Sequence, residues 1–188
     1  MNKNLLILGV LLLLVLGSLL FIFKDRIPIL NNDYTLPNNL TYSQDPGWSD
    51  VSGDGWTISF KKDWKLSPVL DIQGSKSYSN KEQGDDLILI IVSLPAGGFK
   101  STIKEELDVW KIVIETPQSS RQLIKSQELT INGYESGIIF SKVKDRNTIW
   151  LTVYVDKNEI VYTLDISVTE NFYKSNKADI EYLISSFR

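Results

Sequence analysis

The sequence of 188 residues contains no cysteine and no histidine. Without cysteine there are no disulfide bonds, no thiolate nucleophiles and no cysteine-bound zinc, and composition gives no signal about the redox compartment. Without histidine there are no Ser-His-Asp triads and no histidine-ligated metal sites. Catalysis would have to rest on carboxylates, lysine, tyrosine or hydroxyl groups.

The chain also lacks a strong net charge and a cluster of basic residues. It has 20 Lys and Arg against 23 Asp and Glu, for a net charge of −3, and the basic residues are scattered along the sequence. A protein that binds nucleic acid needs basic residues gathered on one face, so we expect no nucleic-acid partner. Hydrophobic residues make up 43% of the chain, which is enough for the core of one domain.

One long apolar run, from Leu5 to Phe23, contains no charged residue. As a helix it would be about 28 Å long, close to the thickness of a bilayer's hydrocarbon core. No A-x-A-like cleavage site follows it, so we predict an uncleaved single-pass membrane anchor in residues 1–26. The flanking basic residues Lys3, Lys24 and Arg26 give only a weak orientation signal. Because long C-terminal domains cross membranes largely regardless of nearby charge, we predict that the globular part is extracytoplasmic.

Residues 27–53 contain Pro28, Pro37 and Pro46, with repeated Asn and Asp and no sustained periodicity. This composition is typical of a tether, so we predict a linker here and a folded domain in residues 54–188.

Four consecutive strands dominate the C-terminal half, over residues 123–131, 134–143, 149–155 and 160–168. Asn132-Gly133 joins the first two and is a strong hairpin signal, since both residues accept positive φ. Polar breaks at 145–148 and 156–159 separate the others. Apolar residues alternate with polar or aromatic ones in the third and fourth strands, which predicts an antiparallel meander with one buried face.

The remaining segments predict further strands and two helices. We expect a strand over 56–60 followed by a turn at Lys62-Asp63, a polar loop over 75–85, and a strand over 86–94 that is covered on both faces. Thr102 and Glu105 form a capping box for a helix that ends near residue 115. A second helix, capped by Ser175 or Asn176, closes the chain. This order predicts an α+β fold with helices packed on an antiparallel sheet.

Several of these segments resemble the PsbP-like superfamily. The matching features are the sequence WTISFKKDW at 56–64, the strand before the first helix, the INGY hairpin at 131–134 and the closing ISSFR at 184–188. The resemblance implies an α/β/α sandwich of PsbP type and a non-catalytic interaction domain, since the family includes an extrinsic subunit of photosystem II, assembly factors and a Ran-binding protein. PsbP's own N-terminal binding segment is not recognisable here, and no site residue of the family can be transferred.

Three acidic residues, Asp45, Asp50 and Asp54, lie close together in a glycine-containing segment. Carboxylates on a flexible loop are the ligands that calcium accepts, which makes them candidate metal ligands. Their spacing does not match an EF-hand loop, and Asp and Gly are also the commonest residues of solvated loops. A calcium- or small-ligand-binding module is therefore the alternative function, and no other cofactor is expected.

Aromatic residues are the candidates for contact with a partner. Trp150 and Tyr154 share one face of the meander with Thr152, and Trp48 has no periodic setting. An exposed aromatic patch near these residues would be typical of a protein-binding surface.

Two motifs that suggest catalysis are incomplete. Ser101 and Lys104 fit S-x-x-K, but the supporting S-D-N and K-T-G elements of serine acylases do not occur. Residues 97–101 lie where a phosphate-binding loop would lie, yet they lack its spacing. A hydrolase using Ser101 or carboxylates is thus a third alternative, and we predict no enzyme activity. The sequence predicts a membrane-anchored domain that binds a protein partner.

Overall fold

The structure is a computed structural model that describes residues 34–72, 75–80, 89–93 and 101–188. The predicted anchor from Leu5 to Phe23 and the glycine-containing loop at 97–100 lie outside these residues. Of the helices in the described ranges, none is long and apolar enough to cross a membrane.

Ten strands and three α-helices make up the described domain. The strands are β1 (Asn39–Leu40), β2 (Trp48–Ser52), β3 (Thr57–Lys61), β4 (Ser67–Ile72), β5 (Ser75–Ser79), β6 (Leu89–Ser93), β7 (Arg121–Ile131), β8 (Tyr134–Val143), β9 (Thr148–Lys157) and β10 (Ile160–Thr169). The helices are α1 (Ile103–Glu115), α2 (Glu170–Ser175) and α3 (Lys177–Ser185).

The predicted meander is confirmed as the centre of an eight-stranded sheet with the order β1-β7-β8-β9-β10-β6-β5-β4. The β7–β8 hairpin turns at Asn132 and Gly133, whose φ angles of 50° and 85° are the left-handed values that these residue types tolerate best. Alternate residues of β9 and β10 that the sequence assigned to the core, including Leu151, Val153 and Leu164, are completely buried. Strand β8 has the predicted bounds, and β7, β9 and β10 extend one or two residues beyond theirs.

Helix α1 covers one face of the sheet, where it packs on β7, β8 and β9. The predicted capping box is present: the Thr102 side chain accepts from the Glu105 backbone, and the Glu105 carboxylate accepts from the Thr102 backbone. Gly137 allows close packing, because a Cβ atom there would lie only 2.8 Å from Ile103 and 2.9 Å from Leu107. This layer has its own small core, separate from the main one.

The opposite face of the sheet is covered by α2, α3 and a two-stranded hairpin of β2 and β3. The main core lies between these elements and the sheet. The stripe predicted for the closing helix is confirmed, since Ile180, Leu183, Ile184 and Phe187 are completely buried. The layered arrangement agrees with the predicted α/β/α sandwich, with a hairpin added to one helical layer.

Helix capping at the C-terminus differs from the prediction. The chain forms two short helices rather than one, and the first is capped by Thr169, whose side chain accepts from the Phe172 backbone. The Asn176 side chain makes no capping bond to α3 and instead donates to the Phe172 carbonyl oxygen at 3.0 Å. Asn176 is thus the N-cap residue of α3, as predicted, but it caps the helix without a side-chain hydrogen bond.

The segment at 27–53, predicted as an irregular linker, contains the strands β1 and β2 within its described residues 34–53. Strand β1 pairs in parallel with β7, which makes the sheet mixed rather than purely antiparallel, and β2 pairs with β3. Tyr34 and Leu36 are 3% and 2% exposed and form part of the main core. The sequence signal failed because β1 has only two residues and β2, with the sequence WSDVS, has no apolar alternation.

The polar loop predicted over 75–85 is wrong for residues 75–79, which form β5 between β4 and β6. The sequence pattern did not indicate this strand because it is rich in serine. Backbone groups make its pairing, and Ser77 and Ser79 are buried although they are polar. Strand β6 lies inside the sheet as predicted, between β5 and β10. Only one of its faces is fully buried, however, with Ile90 and Val92 at 0% exposure and Ile91 half-buried.

Candidate functional site

Helix α1 carries two apolar stripes. Ile103, Leu107 and Ile114 face the sheet and are at most 3% exposed. The second stripe consists of Val109, Ile112 and Val113, which are 55%, 68% and 44% exposed. These three positions are spaced i, i+3 and i+4, so they form one contiguous patch on the helix. We call this patch the α1 surface.

The electrostatic environment of α1 shows which of its flanks faces which strands. Lys104 interacts with Glu128 on β7, whereas Glu106 interacts with Tyr154 on β9. Val109 and Val113 follow Glu106 at i+3 and i+7 and therefore lie on the same flank, toward β9. The α1 surface thus extends toward the polar and aromatic side chains of β9 and β10.

Those side chains form a connected group around Arg121 at the beginning of β7. The Arg121 guanidinium carbon lies 5.6 Å from the centroid of Trp110 and 5.2 Å from that of Trp150, within cation–π range. Trp150 also donates its indole N–H to Asp165 at 2.9 Å, and Thr152 donates to the same carboxylate oxygen at 2.6 Å. Arg121 is half-buried and takes part in no ion pair with any described residue.

An arginine fixed in this way is suited to an anionic group from outside. The indole rings restrict the guanidinium without using its N–H donors, which point in the plane of the group and match a carboxylate. Trp150, one of the predicted partner-binding residues, therefore belongs to this site, where it orients Arg121 and is itself half-buried. Sequence reasoning missed Arg121, because nothing in the sequence near it signals the approach of two tryptophans from α1 and β9.

Tyr154, the second predicted partner-binding residue, is only 2% exposed and packs beneath α1. It does not contribute to an exposed patch, because Gly137 opposite it on β8 lets α1 lie directly over this part of the sheet. Its hydroxyl is buried with no hydrogen-bond partner within the described residues. Burial raises the pKa of Tyr154 far above the usual value, so the phenol stays neutral.

Trp48, the third candidate, lies on the other side of the molecule in β2. Its ring packs edge-on against Trp64, with centroids 5.5 Å apart, and lies 4.3 Å from the centroid of Tyr182 on α3. Trp48 is half-buried. These contacts join the β2–β3 hairpin to α3, so the residue has a structural role there.

The three acidic candidates for calcium are used separately. Asp45 accepts from the Gly47 backbone at 2.7 Å, and Asp50 accepts from the Ser59 hydroxyl at 2.6 Å and also pairs with Arg188. Asp54 interacts electrostatically with Tyr162 instead. In the part of the chain that is described, no three acidic side chains converge in a way that could hold a metal ion. The structure thus does not bring the predicted ligands together.

The S-x-x-K pair is also engaged elsewhere. The Ser101 hydroxyl donates to Glu106, and Lys104 forms an ion pair with Asp108 one helical turn further on. The hydrogen bond to Asp108 raises the pKa of Lys104, whereas a lysine that deprotonates serine needs a lowered pKa. This geometry gives no support to acyl transfer at Ser101.

Solved structures with this fold show what the arrangement resembles. The solution structure of cyanobacterial PsbP from Synechocystis sp. PCC 6803 matches with a TM-score of 0.56 and 18% identity, over 77% of this chain and 94% of that chain. The Ran-binding protein Mog1p of Saccharomyces cerevisiae matches with a TM-score of 0.51 and 13% identity, over 78% and 96%. A protein of unknown function from Pseudomonas aeruginosa matches with a TM-score of 0.52 and 10% identity, over 74% and 94%.

These matches confirm the predicted resemblance to a fold of PsbP type, and at 18%, 10% and 13% identity they show the fold alone. No protein-family model matches the chain, and no curated protein matches it in sequence.

Proposed function

We propose that this protein is a membrane-anchored, non-catalytic domain that docks on a membrane protein complex through the α1 surface and the adjacent Arg121. The observation that carries this proposal is the exposure of Val109, Ile112 and Val113. Of the five exposed large apolar side chains in the described residues, these three lie on one helix in one patch. Scattered exposed apolar residues are ordinary on a protein surface, whereas a contiguous patch indicates an interaction site.

The physical chemistry of the site favours a protein partner. Burying a Val or Ile side chain fully stabilises an association by about 1.5–3 kcal/mol, so the patch can contribute most of a modest affinity. Arg121 would add specificity by pairing with an acidic side chain of the partner at the edge of the patch. Arginine and tryptophan are the residue types most often found at the energetic centres of interfaces.

The shared fold supports the same interpretation by analogy. Mog1p is a Ran-binding protein, which means that a domain of this fold can serve to bind another protein. The absence of a converging acidic group in the described residues and the pairing of Lys104 with Asp108 also favour binding over catalysis.

Membrane anchoring is supported by the apolar run from Leu5 to Phe23, and we place the domain on the extracytoplasmic side. An anchor of this kind would confine the domain to the membrane plane. It would raise the effective concentration near a membrane complex, so that a weak docking surface suffices.

Site-specific photocrosslinking in the native membrane tests the proposal. A photoreactive amino acid at Ile112 of the full-length protein should give one reproducible protein adduct. The same group at Ile160, which is 43% exposed in β10, should not give that adduct. An Arg121→Ala variant should reduce the yield at Ile112, because the acidic contact is lost. If both sites give the same adducts, or if Ile112 gives none, the docking proposal is wrong.

A further inference from the structure

The point at which the chain enters the described domain is fixed by side-chain contacts. Tyr34 is 3% exposed, stacks on Tyr173 with centroids 5.4 Å apart and donates its hydroxyl to Glu170 at 3.0 Å. The next residue, Thr35, accepts a hydrogen bond from Lys125 at 3.1 Å. The N-terminal segment therefore leaves the domain beside Glu170, at the beginning of α2.

Basic residues converge at this same end of the sheet. Lys142 and Lys174 both donate to Glu170, at 2.7 Å and 2.8 Å. The Glu170 backbone N–H donates to the carbonyl oxygen of Asn147, in the turn between β8 and β9. We call this region the basic end. Apart from Arg121, which pairs with Val143 and was assigned above to the site beside α1, its charged residues are Lys125, Lys142, Lys144, Asp145, Arg146, Glu170 and Lys174.

The basic end has five positive side chains against two negative ones, although the whole chain carries a net charge of −3. Lys144 and Arg146 are exposed, and the side chains of Lys142 and Lys174 are 43% and 48% exposed. The sequence showed only scattered basic residues, and the fold gathers these five from β7, β8, the β8–β9 turn and α2. A positive surface of this kind attracts anionic groups within a Debye length of about 8–10 Å.

The length of the connection limits where this end can lie. Between Phe23, the last residue of the predicted anchor, and Tyr34 there are residues 24–33, which span at most about 40 Å at ~3.6 Å per residue. The opposite end of the sheet lies about 30 Å further along β8, since each strand residue advances ~3.3 Å. The chain therefore joins the domain at the basic end, about 30 Å along β8 from the opposite end, and the connection keeps this end within about 40 Å of Phe23.

We infer that the basic end lies against the anionic headgroups of the membrane, and so orients the domain on its surface. This inference rests on the proposed anchoring. An acidic protein would also match the charge, but the chain enters the domain at this end, so the predicted anchor keeps lipid headgroups near it in every copy of the protein. Polybasic segments next to a membrane span are attracted to anionic lipid by the same electrostatics.

The chain has no cysteine, so a single introduced cysteine can carry a spin label that reports the orientation of the domain. Single-cysteine variants Asn147→Cys, in the β8–β9 turn, and Glu135→Cys, at the opposite end of β8, place a spin label at two exposed positions. The full chain is reconstituted in nanodiscs that contain a nickel-chelating lipid. The bilayers are phosphatidylcholine with phosphatidylglycerol, or phosphatidylcholine alone. Relaxation of the label by nickel reports its distance from the headgroups.

In the anionic discs the label at Asn147 should relax several-fold more strongly than the label at Glu135. The difference should shrink in phosphatidylcholine alone and at high salt. Arg146→Glu should also reduce it, whereas the control Lys157→Glu, at the other end of β9, should not. Within the described residues Arg146 makes only a backbone hydrogen bond, to Val143 in the turn, so we expect this variant to keep the fold.

The outcomes separate this inference from the anchoring on which it rests. If the chain does not co-elute with the discs, the anchoring fails and the inference fails with it. If the chain inserts but the two labels relax equally, the inference alone is overturned, and the basic end faces solution, where an acidic protein becomes its occupant. A strong Asn147 signal that is the same in neutral and anionic discs would overturn the electrostatic basis.

Discussion

At the scale of single residues, we expect opposite effects on the free energy of unfolding when the hydroxyl groups of Tyr154 and Tyr182 are removed. The Tyr154 hydroxyl has no described partner, and an unsatisfied buried donor costs about 1–3 kcal/mol. The Tyr182 hydroxyl donates to the Ser43 carbonyl oxygen at 2.6 Å. Tyr154→Phe should therefore leave the free energy of unfolding unchanged or raise it by about 1 kcal/mol. Tyr182→Phe should lower it by about 1 kcal/mol. Urea denaturation measures both, and a large loss for Tyr154→Phe would show that its hydroxyl has a partner.

The Glu170 carboxylate should make the stability of the protein depend on pH. Hydrogen bonds from Lys142, Lys174 and Tyr34 lower its pKa to about 2, below the ordinary value of 4.5. Because the pKa is lower in the folded state, the carboxylate stabilises the protein fully above about pH 4.5. This contribution is lost as the pH falls toward 2.

Glu170→Gln should accordingly reduce the free energy of unfolding by about 1–3 kcal/mol at neutral pH, and the difference from the natural protein should disappear near pH 2. The exposed Glu135→Gln serves as the control, with an expected change within about 0.5 kcal/mol. Thermal denaturation over a series of pH values provides the comparison. A constant difference across that range would contradict the assigned ion pairs.

Partner binding by Trp150 stays a prediction, whereas the expectation that Tyr154 lies in an exposed patch is wrong because this residue is 2% exposed. Alternation correctly placed both on the face opposite the main core, and it could not show that α1 covers Tyr154 while leaving Trp150 half-buried. That distinction depends on where α1 crosses the sheet, which Gly137 decides through a close approach to Leu107. A single sequence does not reveal such a long-range contact.

At the scale of elements, the β7–β8 hairpin does more than reverse the chain. The Asn132 side chain donates to the carbonyl oxygens of Ser185 and Phe187 at 2.7 and 2.8 Å, and accepts from the Tyr42 backbone at 2.8 Å. It thus joins the hairpin to α3 and to the segment after β1. The turn propensity of Asn-Gly predicted the hairpin, but three side-chain bonds to distant segments leave no trace in local sequence.

Asn132→Gly should therefore destabilise the protein by about 2–3 kcal/mol, although glycine adopts the turn's φ of 50° more easily than asparagine. Asn158→Gly is the matched control, because Asn158 has a φ of 57° in the β9–β10 turn and is exposed. Its substitution should change the free energy of unfolding by less than about 0.5 kcal/mol. Equal effects in chemical denaturation would mean that the Asn132 side chain contributes only turn geometry.

Elements with strong periodicity were predicted well, and short or polar elements were not. The four strands of the meander, the capped helix α1 and the buried stripe of α3 followed from their patterns. Strand β1 has two residues and β5 is SKSYS, and in both the backbone pairing rather than apolar alternation holds the strand in the sheet.

At the scale of the whole molecule, the domain has two distinct surfaces. The α1 surface is apolar with Arg121 beside it, and the basic end carries five positive side chains around the point where the chain enters. The fold class was predictable from the sequence, whereas both surfaces depend on residues that come together only in the folded chain.

Co-purification from native membranes tests this account most directly, with the full-length protein compared with its Ile112→Glu and Ile160→Glu variants. Both substitutions place a charge at an exposed apolar position, so both should fold and reach the membrane. We predict that a membrane protein complex is recovered in fixed stoichiometry with the natural protein and with Ile160→Glu, and at least tenfold less with Ile112→Glu. Equal recovery with both variants, or no complex with the natural protein, would contradict docking through α1.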